Sequence, residues 1–101
     1  MEAFCRECEI IASDGQITPL LIYFYLPESD QQYGGYRARA RIDCHFFQKD
    51  LYGTGEDAAQ AFFSLPGAVV SYLIGKRRDG YEAFWLEKGD LDYLNFWTYA
   101  T

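Results

Sequence analysis

The chain has 101 residues, half of them hydrophobic, which is interior enough for one domain and too little for two. A formal net charge of −6 and a pI near 4.6 oppose a general nucleic-acid binder and a protein drawn to anionic membranes, and favour cationic partners. No stretch reads as a membrane span of roughly 20 apolar residues, and Met1-Glu2-Ala3-Phe4-Cys5-Arg6 lacks the basic segment and apolar core of a signal peptide, so a cytoplasmic location is expected.

Residues 3 to 12 and 16 to 26 are rich in β-branched, aromatic and aliphatic types and flank Ser13-Asp14-Gly15, where Asp-Gly is a hairpin signal. They predict two antiparallel strands. Pro19 has no N–H for a ladder, so it should lie near the start of the second strand or where that strand is locally unpaired. Glu28 to Gly35 reads as a polar loop. From Tyr36 to Phe47 the alternation predicts a third strand, with Tyr36, Ala38, Ala40, Ile42, Cys44 and Phe46 on a core face. Arg37, Arg39, Arg41, Asp43, His45 and Phe47 fall on the opposite, wet face.

Thr54 to Asp57 then opens a helix, with Thr54 as the cap and Asp57 at the capping-box position. Lys76, Arg77 and Arg78 close it at the negative end of the dipole. Phe62, Leu65, Val69, Tyr72 and Leu73 form its buried stripe, and Pro66-Gly67 predicts a kink or two abutting helices. Tyr81 to Leu86 reads as a fourth strand, Glu87 to Asp90 as a turn, and Asp92 to Tyr99 as a fifth strand or a packed tail. The expected architecture is a single α+β domain over residues 1–101: two layers, an antiparallel sheet of four to five strands with one kinked or split helix on one face, in the order β-β-β-α-β-β.

Cys5 and Cys8 have the C-x-x-C spacing of metal and redox sites, and Cys44 adjoins the single histidine, His45. On a strand, residues three apart point to opposite faces, and the second pair that structural zinc requires is missing. Thiols in a sheet are expected, with no metal and no cofactor. An odd number of cysteines without a signal peptide suits reduced thiols. Gly53-Thr54-Gly55 lacks the lysine and spacing of a phosphate loop and is read as part of the helix cap.

Two surfaces are candidates for function. The first is the sheet face away from the helix, with Glu7 and Glu9, then Leu21, Tyr23 and Tyr25, then Arg37, Arg39, Arg41, Asp43 and His45. Tyrosine and arginine are enriched in interface hot spots, although Arg and Glu pairing across the tyrosines of a solvated sheet would give the same pattern. The second is acidic: Glu28, Asp30, Asp50, Glu56, Asp57, Glu87, Asp90 and Asp92 lie in loops or at element ends, and if clustered they suit a basic partner such as a nuclease toxin.

The pattern Tyr52-Gly53-x-Gly55-x-Asp57-x-x-Gln60-Ala61, followed by a helix and a short Phe84-Trp85-Leu86 strand, resembles an uncharacterised family of short bacterial proteins, a domain of unknown function. The resemblance covers roughly the second half of the chain and implies no activity at particular positions. In general character the chain also resembles the small acidic immunity proteins that neutralise bacterial toxins. The expectation is therefore a non-enzymatic protein-binding domain, an immunity or inhibitor protein acting on a toxin or effector, with no nucleic acid and no membrane as partner. The alternatives are a small-anion or enzymatic site on the sheet face, with His45 moving protons, and a homodimer formed through an edge strand or the aromatic C-terminus.

Overall fold

A computed structural model of the chain describes residues 2–32 and 34–84. The expected turn over Glu87 to Asp90 and the fifth strand or tail over Asp92 to Tyr99 lie outside them, as do Trp85 and Leu86. The described elements are β1 (Glu2–Ile11), β2 (Ile17–Tyr25), β3 (Glu28–Ser29), β4 (Tyr36–Cys44), β5 (Gln48–Gly55), α1 (Ala58–Phe63), α2 (Leu65–Arg78) and β6 (Glu82–Phe84). All pairings are antiparallel, and the helical run packs against one face of a curled sheet, so the α+β class is as expected.

Among the described strands the order across the sheet is β5, β4, β2, β1, β6. β3 prolongs the β2 side of β4, with its register displaced by one residue at the Leu26–Pro27 break. The β1–β2 turn uses the Asp-Gly signal in a three-residue form: Gly15 N–H donates to Ala12 O at 2.9 Å, and Ala12 N–H donates to Gln16 O at 2.9 Å. Gly15 takes the positive φ of 90° that closes such a loop. Pro19 faces Glu9 of β1 but lies beyond the Leu20–Phe24 range that pairs with β4, so its missing donor costs no ladder bond there.

Period-two alternation places Cys8 and Ile10, then Leu20, Ile22 and Phe24, then Ala38, Ala40, Ile42 and Cys44 in one buried cluster. Leu65, Val69 and Leu73 of α2 and Ala61 of α1 close it from above. Phe24 stands opposite Ala40 and meets the Phe62 ring at 6.2 Å, a large side chain filling the space two small ones leave.

Three local expectations are corrected. The third strand ends at Cys44 rather than Phe47, because Cys44 N–H donates to Phe47 O at 3.0 Å and the chain turns through His45 and Phe46. Phe46 and Phe47 leave the sheet for an aromatic cluster in which Phe47 meets Tyr72 at 5.8 Å and Tyr81 at 5.6 Å. Gln48–Gly55, where no strand is expected and Gly53 to Gly55 are read as part of the helix cap, forms β5, and Glu28–Ser29 forms β3 within the expected polar loop. The helix cap is Asp57, whose carboxylate accepts from Gln60 N–H at 2.7 Å, while Gln60 Oε1 accepts from Glu56 N–H at 2.6 Å. Thr54 is a β5 residue opposite Arg37.

The split of the helix follows the sequence. α1 ends at Ser64, and Pro66 falls in the first turn of α2, where its missing donor removes no helical bond. The far end closes on Gly80, at φ 95°, with Gly80 N–H donating to Arg77 O and Tyr81 N–H to Lys76 O. The 21 residues from Ala58 to Arg78 are long and apolar enough to cross a membrane, contrary to the expectation that no such run exists, and here their apolar stripe packs on the sheet.

The glycines of β5 set how closely the helix approaches. A Cβ on Gly53 would come within 2.5 Å of Ala61 O, and one on Gly55 within 2.6 Å of Ala61 N. Gly53→Ala is therefore expected to destabilise the fold by roughly 1–3 kcal/mol in urea unfolding. Gly67→Ala, in a helix with no neighbour within 4 Å, should be neutral or stabilise by up to about 1 kcal/mol. Equal effects of the two would contradict the close approach.

Candidate functional site

The outward face of the sheet is built by the same alternation that builds the core. Cys5, Tyr23, Arg41 and Asp50 stand side by side across β1, β2, β4 and β5, and Glu7, Leu21, Asp43 and Gln48 form the next row. Tyr25, Arg39 and Tyr52 continue the series toward β3, with Arg37 and Thr54 beyond them. Five of the expected residues, Tyr23, Tyr25, Arg37, Arg39 and Arg41, thus share one face. His45 does not: it is exposed at the β4–β5 turn, about 20 Å along the strand from Arg39, with its ring 5.5 Å from Phe46.

Along β4 the three arginines have different surroundings. Arg41 Nη1 lies 3.5 Å from Asp50 Oδ1, and its Nη2 donates to Gln48 Oε1 at 3.0 Å. Its charge is answered by β5. The Arg39 guanidinium carbon lies over Tyr25, 4.0 Å from the ring centroid, and that of Arg37 over Tyr52 at 4.8 Å. Among the described residues neither of these two exposed guanidiniums has a hydrogen-bond or carboxylate partner.

These two Arg–Tyr stacks form the floor of an open cleft of about 470 Å³. Its wall is the β3 segment and the loop that follows, with Glu28, Ser29, Asp30, Gln31 and Gln32. Asp30 organises that loop, its carboxylate accepting from Gln32 N–H at 3.1 Å while its N–H donates to Gly35 O at 2.9 Å. Tyr52, half exposed, was not a sequence candidate. The outward alternation Gln48, Asp50, Tyr52, Thr54 was its signal, hidden because Gly53 and Gly55 lower strand propensity.

The described acidic candidates divide among different settings, with Asp30 shared by two recesses. Glu28 and Asp30 line the cleft, Asp50 pairs with Arg41, and Asp57 is spent on capping α1. Glu56 sits with Asp30, Gly35, Gly55 and Gln60 in a separate shallow recess. Glu87, Asp90 and Asp92 lie outside the described residues.

The three thiols separate as the strand geometry requires. Cys8 and Cys44 are buried in the core, and Cys5 is exposed on the outward face beside Tyr23. Burial first, then the charges of Glu2 and Glu7, push the Cys5 thiol up, and burial pushes Cys8 up to about 11. Among the described residues no group of three metal-ligating side chains converges.

No protein-family model, no characterised protein and no solved structure matches the chain.

Two measurements check the geometry. Iodoacetamide should label Cys5 in the native protein and reach Cys8 and Cys44 only on unfolding; the Cys5 rate should rise through a midpoint above the usual 9.0, since a raised pKa holds the thiol protonated at neutral pH. Rapid native labelling of Cys8 would place β1 the wrong way round. Arg41→Ala should cost under about 1 kcal/mol of stability, the worth of a half-exposed ion pair.

Proposed function

We propose that the chain is a non-enzymatic, cytoplasmic protein-binding domain that engages its partner through the Arg37/Arg39 cleft. The observation that carries this reading is the pair of guanidiniums, each over a tyrosine ring and, among the described residues, neither matched by a carboxylate within ion-pair distance. Arginines and tyrosines are the side chains that concentrate binding energy in interfaces. The surrounding polar wall of Glu28, Asp30, Gln31 and Gln32 supplies a rim that can hydrogen-bond in register.

Several features support binding over catalysis. The cleft's own nucleophile, Ser29, accepts a hydrogen bond from Gln31 and adjoins no histidine or cysteine, while His45 stands at the far end of the sheet. The free thiols, one of them exposed, suit a reducing compartment. Small size, acidity and an α+β fold are shared in general character with immunity proteins, and the proposal extends to inhibition of a bacterial toxin or effector.

Capture of partner from the source organism by wild type, an Arg37→Ala/Arg39→Ala double variant and Arg41→Ala tests the reading. A partner held by wild type and Arg41→Ala, and lost at least about tenfold by the double variant, is expected, a loss of about 1.4 kcal/mol or more. Equal capture by all three would remove the cleft from the interface.

A further inference from the structure

Arg37 and Arg39 are two residues apart on one face of β4, so their Cα atoms stand about 7 Å apart, the repeat of alternate side chains in any extended chain. The guanidiniums lean to opposite sides of β4, Arg39 toward β2 over Tyr25 and Arg37 toward β5 over Tyr52. Among the described residues neither guanidinium has a hydrogen-bond partner, which leaves its N–H groups available to fork onto a carboxylate. The cleft also carries its own negative charge: Glu28 stands opposite Arg37 in the β3–β4 register, and Asp30 follows on the same wall.

That combination selects among anions. A polyphosphate strand brings a negative charge at every unit and would set some of them against Glu28 and Asp30 on the wall. Its bases would also find the tyrosine faces already taken by arginine. Two separate carboxylates, with a neutral or basic side chain beside them, meet the arginines without meeting the wall's acids.

Resting on the protein-binding reading, we infer that the partner offers this cleft an extended segment with acidic side chains at positions i and i+2, one for Arg37 and one for Arg39. The segment crosses β4 obliquely, because the two guanidiniums diverge, and a basic side chain next to the acidic pair meets Glu28. The cleft volume of about 470 Å³ is enough for a few residues of such a segment.

The test uses the whole protein, labelled with nitrogen-15, and two hexapeptides of identical composition, Thr-Glu-Thr-Glu-Thr-Lys and Thr-Glu-Glu-Thr-Thr-Lys. In an extended chain the first places both glutamates on one face and the second places them on opposite faces. The first should shift the Nε–H signals of both Arg37 and Arg39 and bind at least about fivefold tighter than the second, the gain from one added charge-assisted contact. Arg37→Ala should erase that difference. Equal binding of the two peptides, no shift at either arginine, or inorganic phosphate or an eight-residue oligothymidylate binding as tightly as the first peptide would overturn the inference. Failure here with partner capture still lost in the Arg37→Ala/Arg39→Ala variant would leave the protein-binding reading standing. Undiminished capture by that variant would remove both.

Discussion

The close approach of α1 to the β4–β5 hairpin is the constraint on which the rest of the structure depends. On the core side of that hairpin the facing residues are Ala38, Ala40, Gly53 and Gly55, so the helix backbone at Ala61 can descend almost onto the strand. Ser64 Oγ donates to Ala61 O at 2.7 Å at the same point, which ends α1 where the contact is tightest. Small residues here do what large ones do elsewhere in the core: they remove space rather than fill it. Among the described strands β5 pairs with β4 alone, so this contact with the helix adds a second hold on it.

Fixing β5 creates the outward face. With period two, holding Leu51, Gly53 and Gly55 inward obliges Asp50, Tyr52 and Thr54 to point outward, next to Arg41, Arg39 and Arg37. The consequence is graded along β4. Near the β4–β5 turn the positive charge of Arg41 is answered by Asp50 and Gln48, whereas toward β3 the arginines, among the described residues, are supported by rings. A ring beneath a guanidinium holds its orientation without consuming its hydrogen-bonding edge, which an ion pair would do. Stability and availability are thereby separated along one strand.

The legible part of this arrangement was the part governed by alternation. Residues 36–44 carried an unbroken two-residue period, so both faces of β4 could be assigned, and β2 as the middle strand put Tyr23 and Tyr25 beside the arginines. The cysteines followed from the same rule. β5 was hidden because Gly53 and Gly55, which tertiary packing demands, are poor strand formers read in isolation, and because Gly-x-Gly before Asp57 also reads as a helix entry. His45 was misplaced because an apolar pair, Phe46-Phe47, prolonged the apparent alternation past a tight turn; only the cluster with Tyr72 and Tyr81, distant in sequence, explains where those rings go.

The distribution of reactive groups follows from the same geometry and bears directly on what the face can do. A nucleophile and its base must come within hydrogen-bond reach, which on a sheet means adjacent strands and a common face. Cys8 and Cys44 face the core, Cys5 lies on β1 beside Tyr23, Ser29 lies on β3, and His45 caps the hairpin at the opposite end from the cleft. Alternation and strand order keep these groups apart as strictly as they bring Tyr25, Arg37, Arg39 and Tyr52 together. What is concentrated at the cleft is therefore directional charge on rigid aromatic supports, a chemistry suited to holding a carboxylate-bearing surface in one orientation.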